Sequence, residues 1–219
     1  FADDMANRRT AASVRCVKRT NALNASIYSS FYADHSFAFV GDAPIQFKYS
    51  ASAYGVDDSG NPAVISSAYI DENESKRFNL TAGSSTLSGT REVSVPNSAG
   101  TYRYRLVAES STGAVSRVSY PVHVFDLRGI NIDGNSYKST QCKYGTPYTV
   151  SFQLDGMGAN YTVYVNGVPA KVIDTSMASE GVYISDHIRI QICDADGAEV
   201  AYREYPVKMK SFNDLRFYI

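Results

Sequence analysis

The residues with the clearest chemical reach are carboxylates grouped in glycine-bearing loops. Asp57 and Asp58 stand in Asp57-Asp58-Ser59-Gly60-Asn61, Asp71 opens Asp71-Glu72-Asn73-Glu74, and Asp194 and Asp196 frame Asp194-Ala195-Asp196-Gly197. Oxygen donors so spaced are what calcium takes, and loops 57–61 and 71–74 would share an ion if they met at one end of a sandwich. The same residues are also turn formers, which is the plainer reading of each loop. The second set of candidates is aromatic. Tyr69, Tyr137, Tyr144, Tyr161 and Tyr183 fall near strand ends or loops. An exposed ring beside Asn or Asp can stack on a sugar, although most such tyrosines sit at a core edge with the hydroxyl in water. The chain has 17 Tyr, 10 Phe and no Trp, so the largest sugar platform is missing.

Catalytic signatures are absent from the sequence. His35, His123 and His187 lie in strands or a leading segment, none beside a Ser or Cys nucleophile at a motif spacing. There is no Gly-x-Ser-x-Gly, no His-Glu-x-x-His and no phosphate-cradling glycine loop. The expectation is therefore a protein that is not an enzyme and takes no cofactor. The cysteines, Cys16, Cys142 and Cys193, are odd in number and include no Cys-x-x-Cys pair, which argues against a structural zinc. Alternation in 187–193 puts Ile188, Ile190 and Ile192 on one face and Cys193 with the polar residues. A Cys142–Cys193 bridge at a strand end remains open.

The elements that must position these residues read as strands. The chain has 219 residues, 44% hydrophobic and 20% charged, close to an average globular protein. With 21 Lys+Arg against 22 Asp+Glu, it lacks the basic surplus of a nucleic-acid binder. No apolar run is long enough to span a bilayer as a helix. Helical periodicity is scarce, whereas short alternating runs recur between Gly, Asn, Asp, Ser and Pro, as in an all-β sandwich or barrel.

One hairpin occurs twice. Tyr104-Arg105-Leu106-Val107-Ala108-Glu109 runs to a turn at Gly113 and returns to Tyr120-Pro121-Val122. Ile188-Arg189-Ile190-Gln191-Ile192-Cys193 runs to Gly197 and returns to Tyr205-Pro206-Val207, with one residue more. The first turn, Ser110-Ser111-Thr112-Gly113, has no carboxylate, so the repeated motif requires no metal. Each copy closes a separate module. The expected organisation is an N-terminal segment (1–33), a sandwich (34–126), a second sandwich (127–210) and an apolar tail or strand (211–219). In the first module, 44–54 places Ile45, Phe47, Tyr49 and Ala51 on one face; 63–70, 76–80 and 90–95 are further strands. Along 101–109, Tyr102, Tyr104, Leu106 and Ala108 point inward and Arg103 and Arg105 to water. In the second, 147–154 turns Tyr148, Val150, Phe152 and Leu154 inward, and Asn166-Gly167 joins 161–165 to 168–173 as a type I′ hairpin. The linker, 126–129, is short enough to predict a semi-rigid, end-to-end pair.

Ser98-Ala99-Gly100-Thr101-Tyr102-Arg103-Tyr104 resembles the approach to strand F of immunoglobulin-like domains. The resemblance implies two consecutive immunoglobulin-like antiparallel β-sandwiches, with Tyr102 as the tyrosine corner and Tyr104 where antibody domains carry their second disulfide Cys. The antibody Cys pair and core Trp are missing, so the likeness is to the broad class found in bacterial surface modules. Asn7-Arg8-Arg9-Thr10-Ala11-Ala12-Ser13-Val14-Arg15-Cys16-Val17-Lys18 resembles the final strand of the Fibrobacter major paralogous domain. That family occurs in surface lipoproteins and fimbria-associated proteins of Bacteroidota and Fibrobacter relatives. It implies an upstream body in which Cys16 had its setting. The chain opens on Phe1 and closes on Leu215-Arg216-Phe217-Tyr218-Ile219, which reads as a mature piece or fragment, or as a last strand.

These observations predict a non-enzymatic structural or adhesive module pair of an exported bacterial protein, extracellular or at the cell surface. Its expected partners are other protein subunits or domains of the same polypeptide, with no nucleic acid and no membrane span. Two alternatives stand beside it: a carbohydrate-binding or attachment module with a glycan partner, and a virion or fimbrial assembly subunit that pairs its apolar terminal strand with a neighbour's sheet edge.

Overall fold

The computed structural model describes residues 25–57 and 59–210. The segment resembling the Fibrobacter domain, Cys16, Asp58 and the 211–219 tail lie outside them. The described chain contains strands and no helix, and it divides into two units between Val124 and Phe125.

In the first unit the strands are β1 (Ser26–Ala33), β2 (Phe37–Phe39), β3 (Ile45–Tyr54), β4 (Ile65–Glu72), β5 (Lys76–Asn79), β6 (Thr86–Val93) and β7 (Gly100–Ser110). The 115–124 part of β8 (Val115–Ile132) completes it. One sheet has the order β1-β3-β6; the other runs β8-β7-β4-β5, with β2 also on β8. Labelled in chain order from A, these are A-B-E against G-F-C-C′, the sheet partition of an immunoglobulin-like sandwich. The core joins both sheets: Phe31, Ile45 and Phe47 from one meet Ile70, Tyr104, Leu106 and Val122 from the other. The sandwich begins at Ser26, inside the stretch assigned from the sequence to the N-terminal segment.

The tyrosine corner is present. The Tyr102 hydroxyl donates to the Ser98 carbonyl at 3.0 Å and lies 2.7 Å from the Ser98 Oγ. Tyr104 is fully buried, with its ring 4.6 Å from that of Phe47 on β3. An aromatic contact between strands B and F thus occupies the place of the antibody disulfide. Arg103 is exposed as expected, but Arg105 is not simply solvated. Its guanidinium donates to the buried Asp71 at 2.9 Å and 3.1 Å and to Glu74 at 2.9 Å. On the β3–β6 pair, Gly89 faces Tyr49, whose hydroxyl would stand 2.6 Å from any Cβ placed there. Any larger residue at 89 would push the Tyr49 ring off the strand that it covers.

In the second unit the 125–132 part of β8 is followed by β9 (Asn135–Ser136), β10 (Gln141–Cys142), β11 (Pro147–Asp155) and β12 (Thr162–Val165). Then come β13 (Val168–Pro169), β14 (Lys171–Ile173), β15 (Ser176–Tyr183), β16 (His187–Cys193), β17 (Glu199–Pro206) and β18 (Lys208–Met209). The sheets are β8-β11-β15-β14 and β13-β12-β16-β17, with β10 parallel to β18. Val150, Phe152, Ile188, Ile190 and Ile192 are buried as alternation predicts. Asn166 and Gly167 both have positive φ, 47° and 81°, as a type I′ turn requires. Asn166 does more than turn: its amide donates to the Tyr183 and His187 carbonyls while its Oδ1 accepts from the Arg189 N–H.

Two expectations are corrected and one open question is closed. Cys193 is buried, not on the polar face, because a bulge after Ile192 shifts the β16–β17 register. Cys142 and Cys193 are free buried thiols and form no bridge. The run 168–173 is not one strand but two, since the chain crosses from one sheet to the other at Ala170. The second unit also lacks a corner tyrosine: Asp186 stands two residues before Ile188, the place Tyr102 holds before Tyr104.

Candidate functional site

The Asp57, Asp71 and Asp194 carboxylates of the acidic loops are bonded within their turns or to a neighbouring arginine. Asp57 Oδ1 accepts from the Ser59 and Asn61 N–H groups, and its Oδ2 accepts from the Asn61 amide. These bonds, the Asn61 side chain first, hold the Asp57 carboxyl below its ordinary range. Asp194 Oδ1 accepts from the Asp196 and Ala198 N–H groups, and Asp196 belongs to the same turn. Asp71 is buried against Arg105. No group of three or more His, Cys, Asp or Glu that could hold a metal forms among the described residues, which leave out Asp58.

The histidines are likewise placed in local structure. His35 is exposed. His123 Nδ1 lies 2.8 Å from Thr101 Oγ1, with its ring against Phe37. His187 pairs with Asp186, which holds the Asp186 carboxyl below its ordinary range.

The five candidate tyrosines are dispersed. Tyr69 is half-buried under the Arg77 guanidinium, 4.4 Å from its centroid. Tyr137 meets Tyr205 edge-on at 5.3 Å. Tyr144 and Tyr183 are exposed at 57% and 61%. Tyr161 lines a cleft of about 540 Å³ in the second unit, and the other four do not line that cleft.

Four pieces of chain build that cleft. The end of β11 gives Leu154, and the following loop gives Met157 and Tyr161. β12 gives Thr162, Val163 and Tyr164; β14 and its turn into β15 give Val172, Asp174, Thr175 and Met177. The 169–170 crossover forms another side. It is pinned by two features. Ala170 donates from its N–H to the Val163 carbonyl at 2.8 Å, and the buried Ser179 hydroxyl reaches the Val168 and Pro169 carbonyls, each at 3.2 Å. Tyr161 is set by Phe125, whose ring it meets edge-on at 5.5 Å. Burial, with the Asp194 charge second, pushes the Tyr161 hydroxyl pKa up, so it stays protonated at neutral pH. Asp174 holds a left-handed backbone, φ 54°, at the tip of the β14–β15 hairpin. Sequence reasoning missed Tyr164, Asp174 and the hydroxyls of Thr162 and Thr175. The one signal for them was the neighbouring Tyr161.

No protein-family model matches this chain, and no curated protein does. Among solved structures, the C-terminal fragment of intimin in complex with the translocated intimin receptor's intimin-binding domain is 17% identical. The match covers 84% of this chain and 64% of that one, with a TM-score of 0.38. A Bacteroides ovatus mixed-linkage glucan utilisation protein, SGBP-B, in complex with a heptasaccharide, is 16% identical over 91% of this chain and 46% of that one, TM-score 0.29. The N-terminal four immunoglobulin domains of Dscam1 match at 16% identity over 86% and 47%, TM-score 0.30. The chain thus spans less than two thirds of the length of each. The class of the chain, a pair of immunoglobulin-like β-sandwiches, follows from its own strand order and the Tyr102 corner. No helix among the described residues is long and apolar enough to cross a membrane.

Proposed function

We propose that this chain is a non-enzymatic structural or adhesive module pair of an exported bacterial surface protein. The observation that carries the reading is duplication. One sandwich plan occurs twice in succession, and each copy braces the outer face of strand F with an arginine at the same repeat position. Arg105 is held by Asp71 and Glu74, and Arg189 by Glu199 and Glu204. Repeated modules joined without a long linker suit a spacer that presents a surface at a distance from the cell. The Asp57, Asp71, Asp186 and Asp194 carboxylates support the same reading, because they are committed to turns and braces. The resemblance of 7–18 to a domain of surface lipoproteins points the same way.

The test is location. Antibody raised against residues 25–210 should label intact cells that make the protein, and external protease should remove the label before lysis. Signal that appears only after lysis would overturn the proposal. So would turnover of glycoside or peptide substrates by the purified chain that survives removal of contaminants.

A further inference from the structure

We infer that the cleft of the second sandwich is a binding site for one or two rings of a neutral saccharide. This goes beyond a spacer role, which needs no ligand, so either reading can fail without the other.

The volume, about 540 Å³, lies within the ordinary span for small-ligand sites, about 300–1,000 Å³. Most of the wall is apolar: Leu154, Met157, Val163, Val172 and Met177, with the rings of Tyr161 and Tyr164. Polar side chains in the lining are few: Asp174, Thr162, Thr175 and Ser176, besides the two tyrosine hydroxyls, with the Ser176 hydroxyl donating to the Ile173 carbonyl. That mixture selects the ligand. Asp174 is the only charged residue of the lining, which holds no Lys, Arg or His. An anion is therefore repelled. A wholly apolar ligand would strip water from Asp174 without replacing its hydrogen bonds, a cost that opposes binding. A sugar satisfies both halves. Its C–H face covers an aromatic ring, and its hydroxyls donate to a carboxylate.

The site is also prepared for a ligand. No described residue engages the Asp174 carboxylate in a hydrogen bond or ion pair, in contrast to Asp57, Asp71, Asp186 and Asp194. Val172, at the mouth, is 73% exposed, so the cleft opens to water. The walls are fixed by the Ser179 and Ala170 hydrogen bonds and by the Phe125–Tyr161 contact, which keeps the ordering cost of binding low.

The experiment titrates the full chain with hexasaccharides of β-1,4-linked glucose, xylose and mannose. Hexagalacturonate serves as the anionic arm and indole as the apolar arm. Calorimetry gives affinity, and amide chemical shifts give location. At least one neutral hexasaccharide should bind and move resonances in 161–164 and 172–177. Tyr161→Ala and Asp174→Asn should each weaken it about tenfold, as loss of one stacking or one charge-assisted contact implies. Asn tolerates the left-handed backbone, so Asp174→Asn keeps the turn. Tyr161→Phe keeps the ring and should retain most of the affinity, and Tyr144→Ala should change nothing. The inference is overturned if no neutral hexasaccharide moves those resonances, if hexagalacturonate or indole binds in preference, or if both cleft variants bind as well as the parent chain.

Discussion

Single side chains in the first core make opposite predictions from similar chemistry. The Tyr104 hydroxyl is buried and has no hydrogen-bond partner in the structure. Burial raises its pKa far above the ordinary tyrosine value, with the Glu72 charge second. Tyr104→Phe removes an unsatisfied polar atom and keeps the ring on Phe47, so stability should hold or rise by about 1 kcal/mol. Tyr102→Phe removes the bonded corner hydroxyl and should cost about 1 kcal/mol. Urea denaturation of both variants checks the contrast, and equal losses would refute it. The thiols give a second residue-scale prediction. Burial pushes the Cys142 and Cys193 pKa values up, so both are neutral at pH 7. Native protein should resist iodoacetamide at these two positions and react in denaturant, read by peptide mass mapping. The residues that were legible in sequence were those whose role is local. Asn166 and Tyr102 carry their geometry in a dipeptide or a short run. Asp174 and Tyr164 were not legible, because the cleft depends on how 154–177 folds back on itself, with the sheet switch at Ala170 that alternation does not reveal.

At the scale of elements, alternation found β3, β7, β11 and β16, where one face is apolar without interruption. It read 20–33 as a linker with room for one strand, and β1 stayed unplaced because Ser29 takes an inward position between Ile27 and Phe31, breaking the apolar series. It missed β15 because Met177, Ala178 and Ser179 are buried consecutively, opposite an irregularity in β11 near Thr149. It joined β13 to β14 because nothing in 168–173 marks the sheet switch. The β16–β17 hairpin carries a pH prediction. Glu199 accepts from Gln191 and from Arg189, and these bonds, Gln191 first, hold its carboxyl below the ordinary range. A carboxyl depressed in the folded state contributes stability that is complete above its unfolded pKa and is lost as pH falls through the folded one. Asp57 and Asp186 act in the same direction. Tm should therefore be flat above about pH 5 and decline steadily through pH 4 and below. Glu199→Gln should make that decline shallower. A Tm that rises on acidification would contradict the assignment.

At the scale of the whole molecule, each unit has its own core. Phe47 packs in the first with Tyr104 and Tyr120, and Phe152 is buried in the second. Separate cores predict separate cooperative transitions. Phe47→Leu should lower one calorimetric transition and leave the other in place, and Phe152→Leu should do the converse. A single transition shifted equally by both would show one cooperative unit. The tandem plan itself was legible, because the hairpin ending in Tyr-Pro-Val is written twice. The start of the first sandwich was not, since β1 lies in a serine-rich stretch that resembles a linker.

The Phe47–Tyr104 contact has a consequence for how the protein can be made. Where a disulfide ties strands B and F, maturation waits for an oxidising compartment and its catalysts. Here the same two strands are joined by a noncovalent ring contact, and the two described thiols stay unpaired. The two described sandwiches therefore do not wait for an oxidising compartment to tie these strands. Dithiothreitol should leave their melting unchanged.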